Sequence, residues 1–286
     1  MPPHLSLAVH LHLHYEEMWP QLRAYLENLA AHPYDLYVTL TRENEALKRS
    51  IKEFQPRAEI WCTENRGYDI GPFIDFLHRV DLGAYDVVMK LHSKNAGEGP
   101  STVINHRRVT RAWWSRLLLE SMLGTAERVK RNLAIFAAEP QVGMLGSTHL
   151  VTRDKAHMEK VQELLPAMME RLGHKEWEFG FVVGTMFMVR SSILQRVKDA
   201  YKVGDFPPTD GRLTDGTPAH ALERGLGCLT LAEGYALRGV GYNLRFELAA
   251  LRTGLCRFLW RVKRTDKGHR VIKLCKIPIY YSKSPR

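Results

Sequence analysis

The chain has 286 residues, 45% hydrophobic and 25% charged, the balance of a soluble globular protein and enough for one large α/β domain or two small ones. No run of about 18 apolar residues occurs, so a spanning helix is not expected. The start, Met1-Pro-Pro-His-Leu-Ser, does not read as a secretory signal. The net charge of +10 lies in residues 252–286, which hold eleven Lys/Arg and one acid, Asp266, while the remainder balances thirty bases against thirty acids. This distribution argues against a body-wide nucleic-acid surface and for a local basic contact. Cys62, Cys228, Cys256 and Cys275 lie far apart with no Cys-x-x-Cys, which suggests neither a disulfide scaffold nor a cysteine zinc site and fits a reducing cytosol.

In chain order the pattern alternates strands and helices, the mark of a layered α/β sheet. Strands are predicted over residues 5–13, 35–41, 59–63, 86–91, 142–146 and 181–189. Helices are predicted over 16–31, 43–53, 71–80, 110–136, 154–172 with a kink at Pro166, 191–201 and 217–225, and 229–235 also reads as helix. One domain, residues 1–250, is followed by a tail, 251–286. The strand at 86–91 carries Val87, Val88, Met89 and Leu91, and it delivers Lys90, His92 and Lys94 toward its C-terminal end. Ligands in open α/β sheets gather outside such strand ends, where cations suit a diphosphate.

Six segments in this order resemble the rhamnan synthesis protein F family of bacterial polysaccharide glycosyltransferases. They are His12-Leu-His-Tyr15, Tyr34-Asp-Leu-Tyr-Val-Thr39, Glu64-Asn-Arg-Gly-Tyr-Asp-Ile-Gly-Pro-Phe73, Lys90-Leu-His-Ser-Lys94, Val183-Gly-Thr-Met-Phe187 and Asp215-Gly-Thr-Pro-Ala-His-Ala-Leu-Glu-Arg224. The resemblance covers most of residues 5–240. It implies a GT-A-like nucleotide-diphospho-sugar fold with a mostly parallel central sheet flanked by helices. It further implies transfer of rhamnose or another hexose to a growing surface polysaccharide or lipopolysaccharide O-chain. A catalytically degenerate nucleotide-sugar or glycan-binding module is the alternative.

Each motif supplies candidates. His10, His12 and His14 share one face of the first strand without a carboxylate or cysteine companion, so metal ligation is not expected there. Tyr15, beside His14, is available to stack on a base. In the turn after the third strand, Asn65, Arg66 and Asp69 are donor-binding candidates: Arg66 suits phosphate and Asp69 suits a ribose or sugar hydroxyl, while an Arg66–Asp69 salt bridge is the structural alternative. Lys90, His92, Lys94, His220 and Arg224 complete the donor set. Many nucleotide-sugar transferases carry a metal-binding Asp-x-Asp where this chain has His92-Ser93-Lys94. No tightly bound cofactor is therefore expected, and a divalent metal is expected to be dispensable. Gly184 interrupts a buried strand, which suggests close approach of ligand or backbone. The resemblance implies that this strand borders the acceptor side, which makes Gly184 and Thr185 the acceptor-side candidates. Asp215, near the start of a short helix, is the preferred base for an inverting displacement, and Glu223 is its rival. Capping of the helix is the simpler reading of Asp215. Residues 95–108 read as a loop that closes over the donor.

In the tail, Leu255, Phe258, Leu259 and Val262 fall at i, i+3, i+4 and i+7, with Arg257, Arg261 and Arg264 on another face and Trp260 as an interfacial aromatic. The pattern predicts a basic amphipathic helix on an anionic membrane surface, against a helix packed on the main domain. Residues 271–281 show no clean period. The expected partners are a nucleotide sugar, a lipid-linked or polysaccharide acceptor and, through residues 252–286, an anionic membrane, with no nucleic acid. The expected location is cytoplasmic, peripheral on the inner face of the bacterial plasma membrane.

Overall fold

A computed structural model describes residues 5–94, 102–209, 215–264, 270–274 and 277–282; from 253 onward, Tyr280 apart, the description covers backbone only. The strands are β1 (Leu7–Leu13), β2 (Asp35–Leu40), β3 (Glu59–Cys62), β4 (Val87–His92), β5 (Thr102–Ile104), β6 (Arg107–Val109), β7 (Val142–Ser147), β8 (Val151–Thr152), β9 (Phe181–Val182), β10 (Phe187–Arg190), β11 (Ala236–Val240), β12 (Trp260–Arg264), β13 (Arg270–Leu274) and β14 (Ile277–Ser282). The helices are α1 (Trp19–Leu26), α2 (Glu45–Phe54), α3 (Ile70–Arg79), α4 (Arg111–Leu123), α5 (Ala126–Ala138), α6 (Leu164–Arg171), α7 (Ser191–Ala200), α8 (Pro218–Ala232) and α9 (Leu244–Leu259). The chain divides into two compact units, residues 1–100 with 110–242, and residues 101–109 with 243–286.

The first unit is the α/β layer expected from the sequence. Its seven-stranded sheet has the order β11-β7-β10-β4-β1-β2-β3. β1 pairs in parallel with β2 and β4, β2 with β3, and β11 with β7. Only β10 runs against its neighbours, β4 and β7. β1 and β4 are buried at every position, as befits central strands covered by helices on both faces. The helices begin where side chains satisfy their free amides. Asn44, Thr110, Thr125 and Thr217 cap α2, α4, α5 and α8 by accepting the N–H of Leu47, Trp113, Arg128 and His220.

Several expected elements differ. Residues 110–136 form two helices because the chain turns at Gly124 and Thr125 restarts it as a cap. In 154–172 a 3₁₀ segment, Lys155–Val161, precedes α6, and Pro166 sits in the first turn of α6, where no amide is needed, rather than at a kink. The strand at 181–189 is broken: β9 pairs with β8, a turn intervenes, and β10 enters the main sheet. Residues 229–235 hold the end of α8, and the edge strand β11 comes next.

In the second unit, β5 and β6 form a hairpin closed by Asn105 and His106, both at positive φ (48° and 64°), as a two-residue turn requires. The expected closing loop thus ends in a hairpin, and residues 95–101 lie outside the described part. α9 continues to Leu259, but Trp260–Arg264 is a strand paired with β13, which pairs with β14. The helix expected to hold Leu255 through Val262 therefore ends at Leu259. Trp260 and Val262 are apolar and β-prone enough to pair once a partner strand is at hand. No described helix is long and apolar enough to cross a membrane.

Candidate active site at the rim of the sheet

β10 runs in reverse, so its first residues stand at the rim where β4 ends: Phe187 lies opposite Lys90. The turn leading into β10, Val183-Gly184-Thr185, consequently lies beside His92. Thr185 N–H donates to Val182 O at 3.4 Å, and Gly184, at the third position of this turn, has φ +95°. That angle favours glycine, and a Cβ on Gly184 would also lie 2.5 Å from Trp114 Nε1. Thr185 comes next at φ +49°, an uncommon angle for a β-branched residue.

Side chains from α4, α8 and β4 and from Asp69, just before α3, hold this turn. Trp114 Nε1 of α4 donates to Val183 O at 3.3 Å. The Gly184 N–H donates to Glu223 Oε1 of α8 at 2.7 Å, and His92 Nε2 lies 2.9 Å from Gly184 O. Thr185 Oγ1 donates to Asp69 Oδ2 at 2.6 Å, and Lys90 Nζ donates to Thr185 O at 3.1 Å. Lys90 also forms a direct ion pair with Asp69. His92 Nδ1 is 3.1 Å from Ser93 O, so a neutral ring can donate to only one of its two carbonyls. The shorter contact, with Asp69 Oδ2 3.9 Å from the same nitrogen, places the proton on Nε2.

Charge depends on burial and pairing. Burial alone would raise the Asp69 pKa; the Lys90 charge, the nearby His92 ring and the bonds from Lys90 and Thr185 outweigh it and hold the carboxyl well below the usual range. Burial pushes His92 down, opposed by Asp69. It also pushes Lys94 down, opposed by Glu223 and Asp69, and the Lys94 ammonium sits 4.1 Å over the Trp114 ring.

Beside the turn, Arg224 joins the two candidate bases. Its Nη2 donates to Asp215 Oδ2 at 2.9 Å, its Nε to His157 O at 2.6 Å and its Nη1 to His220 O at 2.8 Å. Glu223 Oε2 stands 3.8 Å from Nη1, an ion pair without a hydrogen bond. Asp215 Oδ1 accepts the Gly216 N–H at 2.8 Å, so both Asp215 oxygens are engaged. His220 Nδ1 lies 2.7 Å from Thr217 Oγ1, and its ring is 5.1 Å from that of Tyr68.

The structure brings Asp69, Lys90, His92, Lys94, Gly184, Thr185, Asp215, His220, Glu223 and Arg224 into one connected cluster. Three expected donor cations are spent internally. Lys90 is 0% exposed and closed over by Asp69 and Thr185, and Arg224 is 5% exposed with all three guanidinium nitrogens bonded. Arg66 donates to Glu64 Oε2 at 2.7 Å and to Phe206 O at 2.9 Å, not to Asp69. Asn65 Nδ2 donates to Thr209 O at 3.4 Å. Tyr15 donates its backbone N–H to Ser93 Oγ at 2.8 Å, and its ring meets His14 edge-on at 4.8 Å.

His10 Nε2 and His12 Nδ1 each lie 3.0 Å from Thr39 Oγ1, and His14 Nδ1 is 3.1 Å from Thr41 Oγ1. Burial lowers His10 well below its ordinary value and pushes His12 down to about 3, so both are neutral. Among the described residues no cluster of His, Cys, Asp and Glu is arranged to hold a metal. Trp114 and Tyr68 were not among the expected site residues. The left-handed φ of Tyr68, +56° directly after Gly67 at +62°, has no signature in the sequence.

Against known proteins, 198 residues are 28% identical to the uncharacterized protein WxcX of Xanthomonas campestris pv. campestris, in strains B100 and ATCC 33913. The match takes in 66% of this chain and 26% of theirs, so the chain spans about a quarter of those relatives. Among solved structures, Staphylococcus aureus TarS 1–349 aligns with TM-score 0.41 at 8% identity over 89% of this chain and 66% of that one. The same protein with UDP-GlcNAc aligns with TM-score 0.40 at 12% identity over 83% and 60%. Likeness this distant assigns no residue of the site. A family model, rhamnan synthesis protein F, matches residues 1–235, through every element of the rim cluster, and the chain belongs to that family.

Proposed function

We propose that this chain is a glycosyltransferase of surface-polysaccharide synthesis, moving a hexose such as rhamnose from a nucleotide-diphospho-sugar to a polysaccharide or lipid-linked acceptor with inversion. The observation that carries the reading is Glu223. One carboxylate oxygen is fixed on the Gly184 N–H, while the other, among the described residues, accepts no hydrogen bond, stands 3.8 Å from Arg224 Nη1 and shares the field of Lys94. A base must be held in place yet keep a lone pair for the proton it takes, and Glu223 meets both conditions. Asp215 is less suited, because each of its oxygens already accepts a bond, one of them from the Arg224 guanidinium, which stabilises the ionised form and weakens it as a base. Glu223 therefore ranks ahead of Asp215, which instead orients Arg224.

In the displacement, the acceptor hydroxyl gives its proton to Glu223 Oε2 as its oxygen bonds to the anomeric carbon. The bond from that carbon to the diphosphate oxygen breaks, and the nucleoside diphosphate leaves with the electron pair. Lys94, just past the end of β4 over Trp114, is the cation offered to the leaving group, and His220, held by Thr217, is a second candidate donor. The Asp69–Lys90 pair acts one step back by fixing Thr185. The displacement draws on these side chains alone, so activity should persist in excess chelator. Residues 252–286 are proposed to hold the enzyme on the cytoplasmic face of the membrane.

A thermal-shift panel of nucleoside diphosphates and nucleotide sugars, together with product analysis using the donor that binds, tests the reading. Stabilisation by one nucleotide series and transfer lost in Glu223→Gln are expected. No stabilisation by any nucleotide would overturn it, and binding without turnover would make the chain the degenerate module.

A further inference from the structure

The exposed side of α9 is not where the sequence pattern of the tail put the membrane contact. Leu244, Leu248 and Leu251 are 61%, 58% and 67% exposed, whereas Phe246 on the opposite side of the helix is buried. At 100° per residue the three leucines fall within about 60° of arc. Arg245 and Arg252, both exposed, border that arc on one edge. The sequence continues the same spacing with Leu255 and Phe258. A row of large apolar side chains left in water normally marks a surface meant to be covered.

The charge along the row says what covers it. The nearest acid, Glu247, is engaged by Arg107 at 2.8 Å within the same unit, so the described border of the leucine row is positive. The remaining chain, residues 253–286, adds ten Lys/Arg against one acid. A second copy would bring the same cations against the same edge. An anionic bilayer supplies acyl chains for the leucines and headgroup phosphates for arginines, whose stems lie along apolar surface while the guanidinium reaches outward.

We infer that the Leu244–Leu248–Leu251 face of α9, edged by Arg245 and Arg252, is a contact surface for an anionic lipid bilayer. This rests on the proposal that the C-terminal part meets a membrane, and it moves the apolar element of that contact upstream of residue 252. It does not depend on the transferase chemistry.

The test is co-sedimentation of the full chain with vesicles of phosphatidylcholine alone and of phosphatidylcholine mixed with phosphatidylglycerol. Wild type should sediment with the mixed vesicles only, and added salt should weaken the binding. Leu244→Ser/Leu248→Ser/Leu251→Ser should lose about tenfold or more in binding, and Arg245→Gln/Arg252→Gln should lose less. Circular dichroism on both variants confirms that they fold. If the folded serine variant sediments like wild type while Arg257→Gln/Arg261→Gln does not, the α9 face is overturned and the basic tail survives. If wild type binds neither vesicle, both fall. A concentration-dependent dimer in analytical ultracentrifugation, abolished by the serine substitutions, would assign the face to a second copy and overturn the lipid.

Discussion

Glu223 Oε1 accepts the Gly184 N–H at 2.7 Å, tying α8 to the turn that leads into β10. The carboxylate is thereby oriented by a backbone donor whose own position depends on Asp69, Lys90, His92 and Trp114. Catalytic groups need such support, because a small displacement of a base forfeits most of its effect.

Glu223→Gln keeps an oxygen for the Gly184 N–H and removes the proposed proton acceptor. It should lower kcat by about 10²–10⁴-fold with little change in donor KM. Asp215→Asn weakens only the pair with Arg224 and should cost about tenfold or less by the same comparison. Steady-state kinetics on both variants decide which carboxylate is the base, and the reverse ranking would restore Asp215.

Lys90→Met leaves the Asp69 carboxylate without its cation. Breaking one side of an enclosed pair costs about 3–5 kcal/mol, and Lys90→Met/Asp69→Asn should recover part of that loss. Urea unfolding of the single and double variants reads both quantities, and additive losses would show that the two side chains do not act as a pair.

The pairing also sets an acid limit. The folded pKa of Asp69 is depressed, so its contribution is complete above the unfolded value, about 3.9, and is lost as pH falls below that toward the folded value. His12 is likewise depressed, to about 3. Its unfolded form binds a proton first, so stability declines as pH falls from about 6.5 toward 3. His12→Asn should flatten the stability profile between pH 6 and 4, roughly the span between those two values, in melts taken across that range.

Gly184→Ala places a methyl against Trp114 at a backbone angle alanine disfavours. A loss of about 2 kcal/mol or more is expected in thermal or urea unfolding, well beyond the usual cost of an Ala in a relaxed loop. Trp114→Phe, which keeps a ring beneath Lys94 and drops the bond to Val183 O, should be milder.

The sheet was legible because its strands are short apolar runs between turn residues, and Lys90-Leu-His-Ser-Lys94 marked the rim where the candidate site residues meet. The partners were not legible. Asp69 and Lys90 stand 21 positions apart on different elements, and Arg224 finds Asp215 nine positions away. Charge type predicts that such groups pair, but not with whom, so Lys90 and Arg224, expected to face the donor, turned inward, and Arg66 paired with Glu64. The break at Gly184 was visible as a glycine in a strand; the separate pairing of β9 and β10 was not, because one apolar run suits either sheet. In the tail, helical spacing ran past the true end of α9 because Trp260 and Val262 suit a strand equally well.

The reversal of β10 has a consequence for how such a rim changes over time. A strand that enters the sheet where its neighbours leave it contributes its leading turn to the cleft, whereas a parallel strand contributes only its trailing loop. New side chains can therefore be tried in that entrance without disturbing register anywhere in the layer, provided the entrance keeps the bend that Gly184 and Thr185 impose.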